Sequence, residues 1–219
     1  KAVIQICMYD SGVFLLCGSA GTGKTFITKI IVKVKKKLHT LYQERYNLKF
    51  LGLAPTGKAS KVMTNNFDDL KIKCKTIHLG LESQYEHFNR NENNQLDENY
   101  FIIDESSMLN IQLAKALMVA ISKKSTVIFL GDTKQLLPIG PGNVLNDMIE
   151  SNCLPLITLS VVKRQTALSG ILKNAEHVIN MEKLEETPNT DDFYLFNAMD
   201  VENIQKLILL NVILQIKIG

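Results

Sequence analysis

"FLLCGSAGTGKTFITKI" (residues 14–30) sets a glycine-rich turn and a lysine between an apolar run and an amphipathic, helix-like one. Within it, Gly18, Ser19, Ala20, Gly21, Thr22, Gly23, Lys24 and Thr25 fit G-x-x-x-x-G-K-[ST] in full. The context is the required one, with a strand before the pattern and a helix after it. Glycines let backbone N–H groups converge on phosphate oxygens, and the helix N-terminus adds partial positive charge. Lys24 would reach the β- and γ-phosphates, and the Thr25 hydroxyl would ligate Mg²⁺. The competing reading is a chance glycine turn, and the flanking strand and helix argue against it. The stretch predicts a nucleoside-triphosphate site in a P-loop fold.

Working outward, short apolar runs recur at 13–17, 48–54, 100–104, 126–131 and 154–159, separated by helix-like segments. Runs apolar on both faces suit buried parallel strands, with the helices as crossovers. That is a doubly wound α/β plan, and "GSAGTGKT" and "GDTKQLLPIGPGNV" fall at carboxyl ends of strands, where such sheets bind ligands. The asparagine-rich stretch 82–99 reads as a solvated loop, and "KVKKK" (33–37) as the wet end of a helix. Composition turns polar and acidic around 182–192, which predicts a boundary: residues 1–183 as one domain, 184–219 as linker and start of another. Beyond it, 193–198 reads as a strand and 200–213 as a helix, and no internal repeat is found.

The 219 residues are 46% hydrophobic and 21% charged, the balance of a globular protein with a sizeable core. A net charge of +3 is too small to mark a strongly basic nucleic-acid protein, so such binding must come from local placement of charge. Cys7, Cys17, Cys74 and Cys153 lack zinc spacing and are expected as buried free thiols in a reducing compartment. The apolar tail 207–219 is broken by Asn211, Gln215 and Lys217 and is too short to span a bilayer. No secretion signal precedes the first motif, and both ends of the chain read as cut, as in a fragment of a longer protein.

Two further motifs direct the chemistry. "YFIIDESSM" puts Asp104 and Glu105 directly after an apolar strand. An Asp-Glu pair is ordinarily a solvated turn, but at the mouth of a buried strand in a P-loop protein it is where the Mg²⁺ carboxylate is expected. Asp104 would hold the ion, partly through water, and Glu105 would orient and deprotonate the attacking water. "FLGDTKQLLPIGPGNV" follows the next strand, and Gln135 there would register the γ-phosphate. Its "GPG" taken alone would be a plain turn.

The order of motifs "GSAGTGKT", "LAPTGKAS", "KTIH", "IIDESSML", "GDTKQLLPIGPGNVL" and "KRQTALSGILKNAEHVIN" resembles superfamily I DNA helicases, most closely the RecD-like branch (exonuclease V alpha-subunit type). The resemblance covers nearly the whole chain and implies a RecA-like parallel sheet with helices on both faces. It implies ATP and Mg²⁺ as cofactors and 5′→3′ movement on single-stranded DNA. It implies that Pro55, Thr56, Gly57, Lys58, Ser60, Thr76 and His78 line the DNA groove, and that Arg164 addresses the γ-phosphate. The ordinary alternatives stay open: a turn with a threonine cap at 54–57, a packed or capping histidine at 78, a surface arginine at 164. Ser106 stands where the family often has alanine. Thr133 and Lys134 replace a more usual proline and acidic residue, and Leu137 replaces a common proline. The family's adenine-reading glutamine motif and its later motifs are not in the chain.

The leading expectation is an ATP-dependent DNA helicase acting on single strands and duplex junctions, in the cytoplasm, a nucleoid or a viral replication site. A second RecA-like domain is expected in the complete protein, and a nuclease or recombination partner is left undefined. The alternatives are a non-catalytic ATP-binding module, and a P-loop nucleotide or small-molecule kinase, which would need an acceptor lid and no Gln135-type sensor.

Overall fold

A computed structural model describes residues 2–9, 11–42, 47–84, 87–160, 169–185, 193 and 203–206. The chain divides into two compact units, Lys1–Arg164 and Gln165–Gly219. In the first, the five expected strands form: β1 (Gly12–Gly18), β2 (Phe50–Ala54), β6 (Tyr100–Ile103), β7 (Thr126–Gly131) and β8 (Leu156–Leu159). A further strand, β3 (Lys73–Thr76), joins them, and the six order as β3-β2-β6-β7-β1-β8, all parallel. Every residue of β6 and β7 is buried, as strands covered on both faces must be.

The period of two along each strand sorts the core into two layers. Phe14, Leu16, Ile102, Ile128 and Leu130 point to a face covered by α1 (Ala2–Cys7), α2 (Lys24–Leu41) and α3 (Gly57–Phe67), through Ile6, Ile31, Val32, Met63 and Phe67. Leu15, Leu53, Phe101, Ile103 and Phe129 point to the other, where α4 (Ile77–Gly80) supplies Ile77 and α5 (Ile111–Ala120) supplies Leu117 and Ala120. Leu145 of α6 (Val144–Glu150) joins that second layer. Each large side chain so buried is worth about 1.5–3 kcal/mol relative to exposure.

Several expectations change. The stretch 82–99 carries a short antiparallel hairpin of β4 (Ser83–Gln84) and β5 (His87–Phe88), pinned by Arg90, which pairs with Glu82 at 2.8 Å and donates to the Gln95 carbonyl. "KVKKK" is mid-helix rather than a wet end. Lys35 is buried and donates to the Tyr9 carbonyl at 2.9 Å, and Lys36 donates to the Leu70 carbonyl at 2.7 Å. Cys7 and Cys17 are buried, but Cys74 is half-buried and Cys153 exposed, so all four are free and only two are core residues.

The second unit holds α7 (Gly170–Ile179). Buried Asn174 donates to the Glu185 carbonyl and accepts from the Glu185 N–H, which ties this helix to the segment after it. The boundary expected at 183/184 falls inside this unit. The strand expected over 193–198 lies outside the described residues except Phe193, and within the expected helix residues 203–206 are helical.

Candidate active site

Because the sheet is parallel and in register, the carboxyl ends of its strands emerge along one edge. Cys17 pairs with Gly131, Ile103 with Phe129, Leu53 with Ile103 and Ala54 with Thr76. Asp104 extends this row by donating its N–H to the Leu53 carbonyl at 2.9 Å. The phosphate loop, the acidic pair and the loop after β7 therefore meet at one place.

The loop leaves β1 at Gly18 and folds back on itself: the Thr22 hydroxyl donates to the Ser19 carbonyl at 2.8 Å. Gly21 and Gly23 take φ of 79° and 92°, left-handed values that a side chain would resist. A Cβ built on Gly23 meets nothing within 4 Å, and no side chain caps α2 there. The first-turn amides of α2 thus border an open concavity suited to phosphate oxygens. Lys24 Nζ donates to the Gly18 carbonyl and, at 3.2 Å, to the Ser19 carbonyl, which keeps its ammonium on the loop. Ser19, Gly21, Gly23, Lys24 and Thr25 are half-buried and Ala20 exposed.

Across from the loop, Asp104 Oδ1 accepts from the Glu105 N–H at 2.9 Å. Glu105 sits at φ 50°, ψ 40°, a left-handed conformation that costs a non-glycine residue about 1 kcal/mol or more. Burial pushes the Asp104 carboxyl above the usual carboxylate range, against the opposing pull of its backbone hydrogen bond and of Lys24. Burial likewise raises Glu105, helped by the charges of Asp104 and Asp132 and opposed by Lys24 and by the polar side chain of Gln135. Gln135 also accepts from the Ser107 hydroxyl at 3.3 Å, and its own N–H donates to the Asp132 carbonyl at 3.2 Å. Lys24, Asp104, Glu105 and Gln135 are brought together as the sequence predicts. Arg164 lies outside the described residues.

Asp132, absent from the predicted set, belongs to the same cluster. It is buried, accepts from the Lys134 N–H at 3.0 Å, and faces Glu105 electrostatically. Its signal in the sequence is the one that marks Asp104: a carboxylate one step past a fully apolar strand. Ser106 has its own reason to be there, since its buried hydroxyl donates to the Leu130 carbonyl at 2.6 Å and fastens the acidic turn to β7. Among the described residues no group of three or more His, Cys, Asp or Glu could hold a metal unaided. Thr25 and Asp104 fit instead a Mg²⁺ that completes its shell with phosphate and water.

The predicted DNA residues cluster at the β2–β3 end of the same edge. Thr56 and Thr76 are the N-caps of α3 and α4, accepting from the Ala59 and Leu79 N–H groups at 3.2 Å each. Capping uses an acceptor lone pair and leaves each hydroxyl proton available to a phosphate. Gly57, Lys58 and His78 are exposed, Pro55 and Ser60 half-buried, and the His78 ring lies 6.0 Å from that of Phe88.

The profile of a protein family described as an AAA domain matches residues 1–141. The RecD subunit of the RecBCD enzyme of Buchnera aphidicola (strain APS) is 36% identical over 164 residues, covering 66% of this chain and 26% of that protein. The ATP-dependent RecD2 DNA helicase of Deinococcus radiodurans is 29% identical over 168 residues, covering 77% of this chain and 22% of that one. The chain thus spans about a quarter of the length of these curated relatives. Among solved structures, the Pif1 helicase from Bacteroides in complex with ADP-AlF3 and single-stranded DNA superposes with a TM-score of 0.51. It is 16% identical and is covered over 54% of its length by 94% of this chain. The Pif1 helicase of Candida albicans gives 0.52 at 21% identity, with 81% and 42% of the two chains covered. At these identities the structural likeness speaks for the fold.

Proposed function

Since this chain belongs to the AAA domain family, and joins Lys24, Asp104, Glu105 and Gln135 at one edge of its sheet, we propose that it is the ATP-hydrolysing motor unit of a DNA helicase. The observation that carries this is the convergence of two adjacent carboxylates, Asp104 and Glu105, on the Lys24 ammonium of a phosphate loop, with Gln135 anchored beside them to Ser107. A base and a sensor set beside the phosphates are what a hydrolase requires and a binding module does not.

Lys24 offers its ammonium to the β- and γ-phosphates. Thr25 and Asp104 would hold Mg²⁺, which when bound would supply positive charge against the phosphates. Glu105, its carboxyl raised by burial, accepts the proton of the attacking water at a side-chain oxygen, and the left-handed backbone fixes where that oxygen points. Gln135 reads the γ-phosphate and passes its presence to the loop 132–143. That loop is anchored by Asn110 Nδ2 donating to the Ile139 carbonyl and by the Ile111 N–H donating to Pro141. Arg164 would add a second positive group to the same phosphate.

Single-stranded DNA would lie over Pro55, Thr56, Gly57, Lys58, Ser60, Thr76 and His78, gripped by hydroxyls and amides that read no base. The Ala54–Thr76 register and the Leu53–Asp104 hydrogen bond support a short path from hydrolysis to grip, since β2 lies beside the strand that carries the acidic pair and β3 beside β2. The same reading takes 1–183 as the first RecA-like motor domain, 184–219 as the start of the second, duplex junctions as substrate and 5′→3′ as the direction. It accords with a cytoplasmic, nucleoid or viral replication setting. No described helix is long and apolar enough to cross a membrane.

The test is ATPase rate with and without oligo-dT in the complete protein. Wild type should be stimulated. Glu105→Gln should bind ATP yet lose about two to four orders of magnitude in rate, the scale of general-base loss. Lys24→Ala should lose triphosphate affinity. An unstimulated wild type would reject the helicase reading, and an unchanged Glu105→Gln rate would reject the base.

A further inference from the structure

The edge of the sheet opposite the phosphate loop carries a feature that ATP hydrolysis does not use. The amino ends of β2 and β3 border a cleft of about 250 Å³ lined by Lys36, Lys49, Lys71 and Lys73, with Phe50 in its wall and Glu98 beside them. Four lysines against one glutamate match, in one cleft, the +3 net charge of the whole chain. Lys36 is structural: its ammonium donates to Leu70 and lies 5.6 Å from the Phe50 ring centre. Lys49, Lys71 and Lys73 are exposed, and among the described residues none has a carboxylate within ion-pair distance.

The lysines continue along the sheet edge. In β3 the residues alternate, Lys73 and Lys75 exposed, Cys74 and Thr76 half-buried. The two outward lysines are about 7 Å apart on an extended strand. They lead from the cleft to Thr76 and His78, at the carboxyl edge.

We propose that this cleft and the lysine row of β3 bind nucleic-acid phosphates, carrying a DNA strand down the sheet edge from the Thr76–His78 end to the amino edge. The proposal rests on the helicase reading above. Ammonium groups act here as point charges that read no sequence. Half-buried Phe50, tilted against Tyr100 at 5.0 Å, gives the cleft an aromatic wall of the kind bases stack on. That wall, and continuity with Thr76 and His78, favour a nucleic acid over an acidic peptide.

The 219-residue chain should be titrated, by fluorescence anisotropy over a range of salt, with a short oligo-dT that fills only the carboxyl-edge groove and with one about three times as long. The variant is K49Q/K71N/K73Q. Lys71 takes φ 51°, which asparagine tolerates better than most residues. Short-oligo binding should be unchanged. Long-oligo affinity should fall about tenfold or more, and the salt slope should become shallower by about 2, three single-strand phosphate contacts being lost. If the triple variant does not fold, K49Q/K73Q, which leaves Lys71 in place, should give about two-thirds of the slope change. Equal long-oligo affinity and slope in wild type and variant would overturn the proposal. So would equal loss for both oligos, or a variant that only self-associates, as edge lysines that merely guard a strand predict. A wild type that binds both oligos beside an unchanged variant removes this proposal alone, whereas a wild type that binds neither removes the helicase reading as well.

Discussion

Asp104 and Glu105 are adjacent half-buried carboxylates, with buried Asp132 as a third nearby. Three acids held this close are a stability cost accepted for function. The sign follows from the raised Asp104 carboxyl. A folded-state pKa above the unfolded value costs nothing at low pH, where both states are protonated. The cost grows as pH climbs from the ordinary aspartate range, about 4, through the folded value. Asp104→Asn keeps an oxygen for the Glu105 N–H and removes the charge. In EDTA and without nucleotide, the variant should melt above wild type at pH 7, and the two should converge towards pH 4. Each kcal/mol is about 2–4 °C for a domain of this size. A thermal-shift series over pH checks this, and parallel melting curves at all pH values would contradict it.

Among the elements, what could be read from the sequence divides by burial. The strands β1, β2, β6, β7 and β8 are legible because they are apolar in unbroken runs. β3 is not, because "KCKT" on an edge strand shows two lysines outward and only two residues half-inward, which looks like loop. The hairpin β4–β5 is two residues a side and is held by Arg90 more than by any pattern. The caps were legible only as alternatives: a threonine before "GKAS" fits a helix cap and a DNA contact equally, and the structure gives the cap. The two roles separate by substitution. Thr56→Ala should cost about 1 kcal/mol of stability, with Thr56→Ser close to wild type. If Thr56 also donates to DNA, Thr56→Ser should keep oligo-dT affinity and Thr56→Ala should lose it. Chemical denaturation read beside anisotropy distinguishes the two, and an Ala variant with full DNA affinity would leave Thr56 as a cap alone.

For the molecule as a whole, the sheet has a direction. The proposed nucleotide site lies at its carboxyl edge and the lysine cleft at its amino edge, because parallel strands bring all their like ends together. The site was legible to the extent that it follows strands: Asp104 directly follows β6, and Lys24 and Gln135 lie in the segments that leave β1 and β7. The charge coupling of Asp132 to Glu105, and the turn of Lys35 into the core, depend on packing between elements distant in sequence, which no local pattern records. The four cysteines span the same range of depth, and this gives the protein a built-in chemical reporter. Burial raises the Cys7 and Cys17 thiols and brings Cys74 up to about 11, while Cys153 stands exposed. Because thiolate is the reactive form, a thiol reagent at neutral pH should consume Cys153 quickly, half-buried Cys74 more slowly, and Cys7 and Cys17 only as fast as the fold opens. Cys153→Ser should abolish the fast phase without altering the others, and the slowest phase, that of Cys7 and Cys17, would then time the opening of the core.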